Sequence, residues 1–304
     1  MTWYEGQEDI IIIPLPNDFD IDINLDYLTR EKNELLYEID NGNIRRAIAI
    51  GEDRFLIQIS VIDNKEMVVQ ILNETKPTEP WQQDTIVMYI REWFDLDTDL
   101  TPFYEMAKAD PLLQKPAQDY VGLRIIGIHD LFEALCWGVL GQQINLAFAY
   151  SLKRQFVEQF GDFIEWNGKQ YWMFPSHEKI AQLNPSDLET VQMTARKREF
   201  IVGIARLIAS GVLSKQNLLS LNFKDAEKKL INIRGIGPWT ANYVLMRCLR
   251  FPTAFPIDDV GLINSIKALR NMDRKPTKEE ILKLASPWKD WEAYATFYLW
   301  RVLY

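Results

Sequence analysis

Apolar positions in the first hundred residues fall into short runs divided by turn residues. Ile10-Ile11-Ile12-Ile13-Pro14 is a β-branched run stopped by proline. Asp22 to Glu34 predicts a helix, with Ile23, Leu25, Tyr27 and Leu28 among its apolar positions. Arg45 to Ile50, Phe55 to Ile62 and Met67 to Leu72 follow, separated by Gly51-Glu52-Asp53 and by Asp63-Asn64, a pattern that predicts an antiparallel meander. A helix from about Trp81 to Phe94 closes this lobe, whose boundary is placed near residue 100, in Asp95–Thr101.

Beyond that point the period is helical almost throughout. Helices are expected over Leu131–Leu140, Ile144–Phe160, Ser186–Leu188, Ala195–Ser210, Asn222–Ile233, Pro238–Arg250, Val260–Leu269, Lys278–Leu284 and Trp291–Leu303. Thr277 with Glu280 three residues on fits a capping box. One interruption stands out: Phe163 to Trp166, then Asn167-Gly168, then Gln170 to Phe174, which reads as a β-hairpin. The expected fold class is therefore α+β, with an antiparallel-sheet lobe over 1–100 and a mostly helical domain over 101–304.

At 304 residues and 47% hydrophobic the chain can bury a sizeable core. Its net charge of −9 argues at first against a nucleic-acid partner. The distribution alters that reading. Residues 1–100 hold 22 acidic and 8 basic side chains, a net of −14, whereas residues 101–304 hold 21 and 26, a net of +5. The helical part is the better placed to meet phosphates. Cys136 and Cys248 lie in separate apolar runs and suit buried, reduced thiols in a cytosolic protein; two cysteines cannot ligate an iron–sulfur cluster. His129 and His177 have no ligand cluster around them. No apolar stretch reaches the roughly 18–20 residues of a membrane span. The polar, acidic segment Met1–Asp9 argues against a secretory signal, so a cytoplasmic location is expected.

The most informative segment is Leu230-Ile231-Asn232-Ile233-Arg234-Gly235-Ile236-Gly237-Pro238-Trp239-Thr240-Ala241. A helix ends, a Gly-x-Gly turn follows, and proline opens the next helix where its missing N–H costs nothing. Glycine permits positive φ and close backbone approach. The unpaired N–H groups at the new helix start make an anion site, able to hold a DNA phosphate without reading sequence. Gly-x-Gly alone describes an ordinary helix–helix turn; the whole string resembles the helix–hairpin–helix of DNA repair proteins.

After the second hairpin helix comes Phe255-Pro256-Ile257-Asp258-Asp259-Val260-Gly261-Leu262-Ile263. An aspartate at a helix mouth is commonly an N-cap. Hairpin, helix, short apolar link and then Asp also resembles the helix–hairpin–helix glycosylase superfamily, and Pro-x-Asp-Asp-x-x-Leu-Ile is similar to the bacterial 3-methyladenine DNA glycosylase II family. That resemblance extends to Leu15-Pro16, Phe19-Asp20 and Leu25-Tyr27-Leu28, and to Leu140-Gly141-Gln142-Gln143-Ile144-Asn145. It implies a TATA-binding-protein-like N-terminal lobe joined to a two-lobed helix–hairpin–helix glycosylase core. Asp259 would be the catalytic carboxylate and Asp258 a cap or support. Gln143, with Gln142 beside it, would be the wedge that fills the gap left by a flipped base; better-known members carry an aliphatic residue there.

The position after Gly-Ile-Gly-Pro holds a Schiff-base lysine in bifunctional relatives, and here it is Trp239, so strand cleavage is not expected. Trp239 and Tyr243, four apart, share a helix face. With Trp300, and with Tyr27 of the N-terminal lobe, they form the candidate base pocket, whose ring faces would attract a base made cationic by alkylation. Arg301, after Trp300, replaces an aromatic of better-known members. Gly235, Gly237, Arg234, Thr240, Arg196 and Lys197 are the candidate contacts to the DNA backbone. The resemblance further implies a Na+ or K+ ion on the carbonyls of Ile231, Ile233 and Ile236, with no required cofactor and no iron–sulfur cluster.

The function so implied is that of a monofunctional, monomeric glycosylase acting on alkylated purines in double-stranded DNA, in the cytoplasm and at the nucleoid. The alternatives are a glycosylase for oxidised or deaminated purines and a non-catalytic helix–hairpin–helix DNA-binding protein.

Overall fold

The structure, a computed structural model, describes residues 9–303, so the Met1–Glu8 part of the segment read against a secretory signal lies outside the described residues. Five strands form one antiparallel sheet: β1 (Ile10–Pro14), β2 (Glu38–Asp40), β3 (Asn43–Ile50), β4 (Asp53–Ile62) and β5 (Glu66–Ile71), in the spatial order β1-β5-β4-β3-β2. The three meander runs are β3, β4 and β5, with Ile48 opposite Phe55 and Ile59 opposite Val69. The β-branched run Ile10–Pro14 returns to pair with β5 at the sheet edge, where proline is tolerated.

Alternation along the strands separates the two faces. Ile44, Ile48, Phe55, Ile57 and Ile59 enter the main core, while Ala47 and Leu56 point the other way. That second face is covered by the hairpin of β6 (Asp162–Trp166) and β7 (Lys169–Met173), through Tyr171 and Met173. Asp63-Asn64 and Asn41-Gly42 turn with positive φ, as tight hairpins require.

Helices α1 (Ile21–Thr29) and α2 (Pro80–Trp93) belong to the sheet lobe. The helical part runs α3 (Thr101–Ala109), α4 (Gln114–Asp119), α5 (Leu131–Leu140), α6 (Leu146–Phe160), α7 (His177–Ala181), α8 (Ala195–Ala209), α9 (Lys215–Leu219), α10 (Phe223–Ile231), α11 (Pro238–Arg247), α12 (Val260–Leu269), α13 (Lys278–Leu284) and α14 (Glu292–Trp300). The capping box of Thr277 and Glu280 opens α13. Four helices were not anticipated: α3, α4, α7 and α9 span nine residues or fewer and show too few turns for a period to register. Several helices end earlier than their sequence suggests, α10 at Ile231 and α14 at Trp300 among them. α1 stops at Thr29, and α11 stops at Arg247 because Arg250 adopts φ +60° and the chain turns back. Pro185–Leu188 is a 3-10 turn.

The main apolar core runs from Ile11 and Phe55 of the sheet through Phe132 and Leu245 to Phe297. The junction also buries polar groups, most of them paired, although the Arg124 Nε has no partner. Asn24 of α1 donates to the Gly122 carbonyl at 2.9 Å and accepts from the Arg124 amide at 3.0 Å. Lys153 of α6 bridges Glu34 and Glu133 at 3.0 and 3.2 Å, and Arg46 of β3 lies 3.6 Å from Glu133. Removing one member of such a buried set leaves a charge without its partner. Among the described residues no helix is long and apolar enough to cross a membrane.

Candidate active site

Helix α10 ends at Ile231, and the turn Asn232–Gly237 leads into α11. Gly235 sits at φ +95°, and a Cβ there would overlap the Phe200 ring, so both backbone conformation and space require glycine. Gly237 is the N-cap of α11 and Pro238 its first residue, which leaves the opening N–H groups free for an anion. Gly138 of α5 faces the buried Thr240 side chain with no room for a Cβ, so α5 and α11 pack at close range behind the hairpin.

The same helix directs the chain toward the acid. Asn242, buried on α11, accepts from the Phe255 amide at 2.9 Å and donates to Glu227 at 2.6 Å. This pins the Phe255–Asp259 link to the hairpin unit. Asp259 then caps α12: its Oδ1 accepts from the Leu262 amide at 2.9 Å. The N-cap reading is thus seen in the structure. Oδ1 also accepts from the Trp300 indole N–H at 2.8 Å, and Oδ2 accepts from that of Trp239 at 3.0 Å. Three N–H donors from three helices fix the half-buried carboxylate, and charge-assisted bonds of this type are the stronger ones. A Cβ on Gly261 would lie 3.0 Å from both Asp259 Oδ1 and the Trp300 ring, so glycine gives Trp300 room to reach the acid. Asp258, by contrast, is exposed and its carboxylate sits 3.4 Å from Lys278.

Tyr243 lies between the two tryptophans. Its ring is 5.5 Å from that of Trp239 at 28° and 6.4 Å from that of Trp300 at 26°. Tyr243 and Tyr27 are buried, and both their hydroxyls accept from Arg247, at 3.2 and 3.1 Å. Tyr27 packs on Phe297 rather than on either tryptophan, so it belongs to the deeper side of Tyr243. Arg301 is buried against Tyr120 and pairs with Asp26, away from the carboxylate.

The residues expected to meet DNA divide into two groups. Gln143 is exposed with φ +58° at the turn between α5 and α6, and Arg196 and Arg234 are exposed, the latter paired with Glu199 at 2.6 Å. Gln142, Lys197 and Thr240 have another use. Gln142 Nε2 donates to the Gly235 carbonyl at 2.9 Å and to Thr240 at 3.3 Å, so its amide braces the hairpin instead of projecting as a wedge. The Lys197 ammonium is buried on the carbonyls of Leu140 and Gln142 at 2.7 and 2.9 Å, which takes it away from any phosphate; its burial lowers its pKa. Thr240 buries its side chain and has only its backbone to offer. These three tie the loop carrying Gln143 to the hairpin. The sequence signal for this bracing was slight, because it joins residues almost a hundred positions apart. Of the carbonyls expected to hold a cation, that of Ile233 already accepts from the Ile236 amide at 3.0 Å.

Comparison with known proteins agrees with this geometry. The model of the HhH-GPD superfamily base excision DNA repair proteins matches residues 136–290, and that of the 8-oxoguanine DNA glycosylase N-terminal domain matches residues 12–135. The chain belongs to the HhH-GPD superfamily of base excision DNA repair proteins. It is 70% identical over 304 residues, the whole length of both chains, to a DNA-3-methyladenine glycosylase of Bacillus subtilis. It is similar in structure to the 3-methyladenine DNA-glycosylase from Archaeoglobus fulgidus, with a TM-score of 0.82, 23% identity and coverage of 95% of this chain and 96% of that one. A Clostridium acetobutylicum 8-oxoguanine glycosylase/lyase in complex with double-stranded DNA shares the fold, with a TM-score of 0.75, 22% identity and coverage of 97% and 95%.

Proposed function

We propose that the protein is a monofunctional DNA glycosylase that extrudes alkylated purines such as 3-methyladenine from duplex DNA and hydrolyses their N-glycosidic bond. The observation that carries this reading is the Asp259 carboxylate held by Trp239, Trp300 and the start of α12. The names of the Bacillus subtilis and Archaeoglobus fulgidus relatives support the substrate.

Breaking the bond develops positive charge on the sugar C1′ and ring oxygen. A carboxylate already fixed there stabilises that charge without reorganising, the counterpart of an oxyanion hole. The indole N–H donors hold the acid aimed, leaving lone pairs to orient the attacking water. An N3- or N7-alkylated purine carries positive charge and departs readily, so no general acid is required of the protein. The half-buried tryptophans offer the extruded base a stacking surface. Trp239 occupies the position of the lyase lysine and has no nucleophilic amine, so the product is an intact abasic strand.

In the same reading the α11 N-terminus and Arg234 and Arg196 hold phosphates, and Gln143 enters the base stack on a loop kept rigid by Lys197 and Gln142. A monovalent ion would be held by the Ile231, Ile233 and Ile236 carbonyls; no catalytic step depends on it. Chromatography of bases released from methylated, deaminated and oxidised DNA tests the substrate class. Release of 3-methyladenine without borohydride trapping of the protein supports the proposal. Trapping would reveal an amine nucleophile, and release of oxidised bases alone would assign another substrate.

A further inference from the structure

The hydroxyl side of Tyr243 faces a cavity of about 50 Å³, shared by the sheet lobe and helices α5, α6 and α11. Four cationic side chains line it, Arg30, Arg46, Lys153 and Arg247, against two carboxylates, Glu34 and Glu133. The carboxylates are already matched, by Lys153 at 3.0 and 3.2 Å and by Arg46 at 3.6 Å. Arg30 and Arg247 have only neutral partners. Arg30 donates to the Tyr27 carbonyl at 3.0 Å and the Tyr150 hydroxyl at 3.3 Å. Arg247 donates to the Ile126 carbonyl at 2.6 Å and to the hydroxyls of Tyr27 and Tyr243. Among the described residues neither guanidinium has a carboxylate within 4.0 Å. Burial pushes the Tyr150 and Tyr243 hydroxyls up, so they stay neutral and supply no counter-charge.

A buried Arg247 and a half-buried Arg30 beside acceptor oxygens, with no anion, are costly unless a ligand completes them. The cavity is too small for a purine as it stands but admits the edge of one. Arg30 explains how the rest would enter. Its guanidinium lies 3.5 Å over the Tyr27 ring, in the layer a stacked base would occupy, and the half-buried residue sits at the C-cap of α1, where it can withdraw.

Resting on the glycosylase reading, we infer that Arg30 and Arg247 are specificity determinants that recognise the acceptor edge of the extruded purine, its carbonyl oxygen at C6 together with N7. A guanidinium fork donates to those two atoms in a bidentate manner. A 6-amino group presents a donor there, which leaves the arginines unpaired and adds to their repulsion of a cationic base. Guanines alkylated at N3 therefore gain from this cavity, whereas guanines alkylated at N7 have lost one of the two acceptors and alkylated adenines present a donor at C6. The ring stack and Asp259 serve both.

The test uses methylated duplex DNA, which contains 3-methylguanine and 3-methyladenine, alkylated at the same atom and differing at C6 and at the 2-amino group. Released bases are separated by chromatography for the wild type, Arg247→Met, Arg30→Met and Arg30→Lys, with thermal melting of each. The ratio of 3-methylguanine to 3-methyladenine release is expected to fall about tenfold in Arg247→Met. A smaller fall is expected in Arg30→Met, and a partial recovery in Arg30→Lys, which restores charge without the fork. A wild-type ratio in folded Arg247→Met and Arg30→Met overturns the inference, whatever happens to total activity. Should Arg247→Met fail to fold, the ratio in Arg30→Met decides. Failure of the wild type to release either base would instead overturn the glycosylase reading.

Discussion

Tyr243 separates two environments of opposite sign. On its ring side, Trp239 and Trp300 direct N–H groups at the negative charge of Asp259. On its hydroxyl side, Arg247 and Arg30 are positive and have only carbonyl and hydroxyl partners. The carboxylate is held by three donors before any substrate arrives, which suits a group that must meet a transient positive charge. The guanidiniums keep donor capacity in hand, which suits groups that discriminate between ground-state ligands. One helix carries both sides, since Trp239, Tyr243 and Arg247 recur every four residues along α11.

The ring side breaks most severely at its acid. Asp259→Asn is expected to lower base release by about a thousandfold. Asparagine still caps α12, so DNA binding measured by anisotropy and the melting temperature should hold. Comparable activity in that variant would remove Asp259 from the chemistry. Next in size, Trp239→Phe and Trp300→Phe keep aromatic surface but each remove one donor to the carboxylate. Each should reduce kcat by about tenfold with a smaller change in KM, and the pair together should lose less than the product of the two, as expected of donors to a single group. Equal losses in kcat and stacking affinity would assign the indoles to base binding alone.

Two further changes act outside both sides and show how far each depends on its frame. Lys197→Met leaves the Leu140 and Gln142 carbonyls without their donor, at a cost of about 1–3 kcal/mol in denaturant unfolding. Release from a fully paired duplex should fall more than release from one mismatched at the lesion, because the loop carries Gln143. The smallest effect concerns acid stability. Burial raises the Glu92 pKa, but hydrogen bonds and charges from His129 and Lys215 outweigh it and bring the carboxyl down to about 2. Its folded pKa is thus depressed, so its contribution is complete above its unfolded pKa of about 4.5 and is lost as pH falls toward 2. Glu92→Gln should flatten the stability profile between those values and leave the ratio of released bases untouched. An unchanged acid limb would mean that the ion cluster stabilises nothing.

Much of this was legible in the chain. The helix–hairpin–helix string, its distance to Asp259 and the tryptophan after Pro238 are local patterns, and local patterns fix turn type, helix start and the side chains available. Long periodic helices such as α5 and α12 also declared themselves with the right ends. Contacts across the fold were hidden. Lys197 and Thr240 read as DNA-facing groups because a basic run and a hydroxyl near a hairpin are exposed more often than not; packing of α8 and α11 against α5 buried both. Tyr27 and Arg30 looked unrelated to Arg247, more than two hundred residues away, until the sheet lobe closed over the helices. The sequence by itself determined which residues could do the chemistry. Only the tertiary structure decided which of them lost access to DNA, which donors hold the acid, and where two arginines meet without a counter-charge, because burial and pairing depend on surfaces that no local pattern contains.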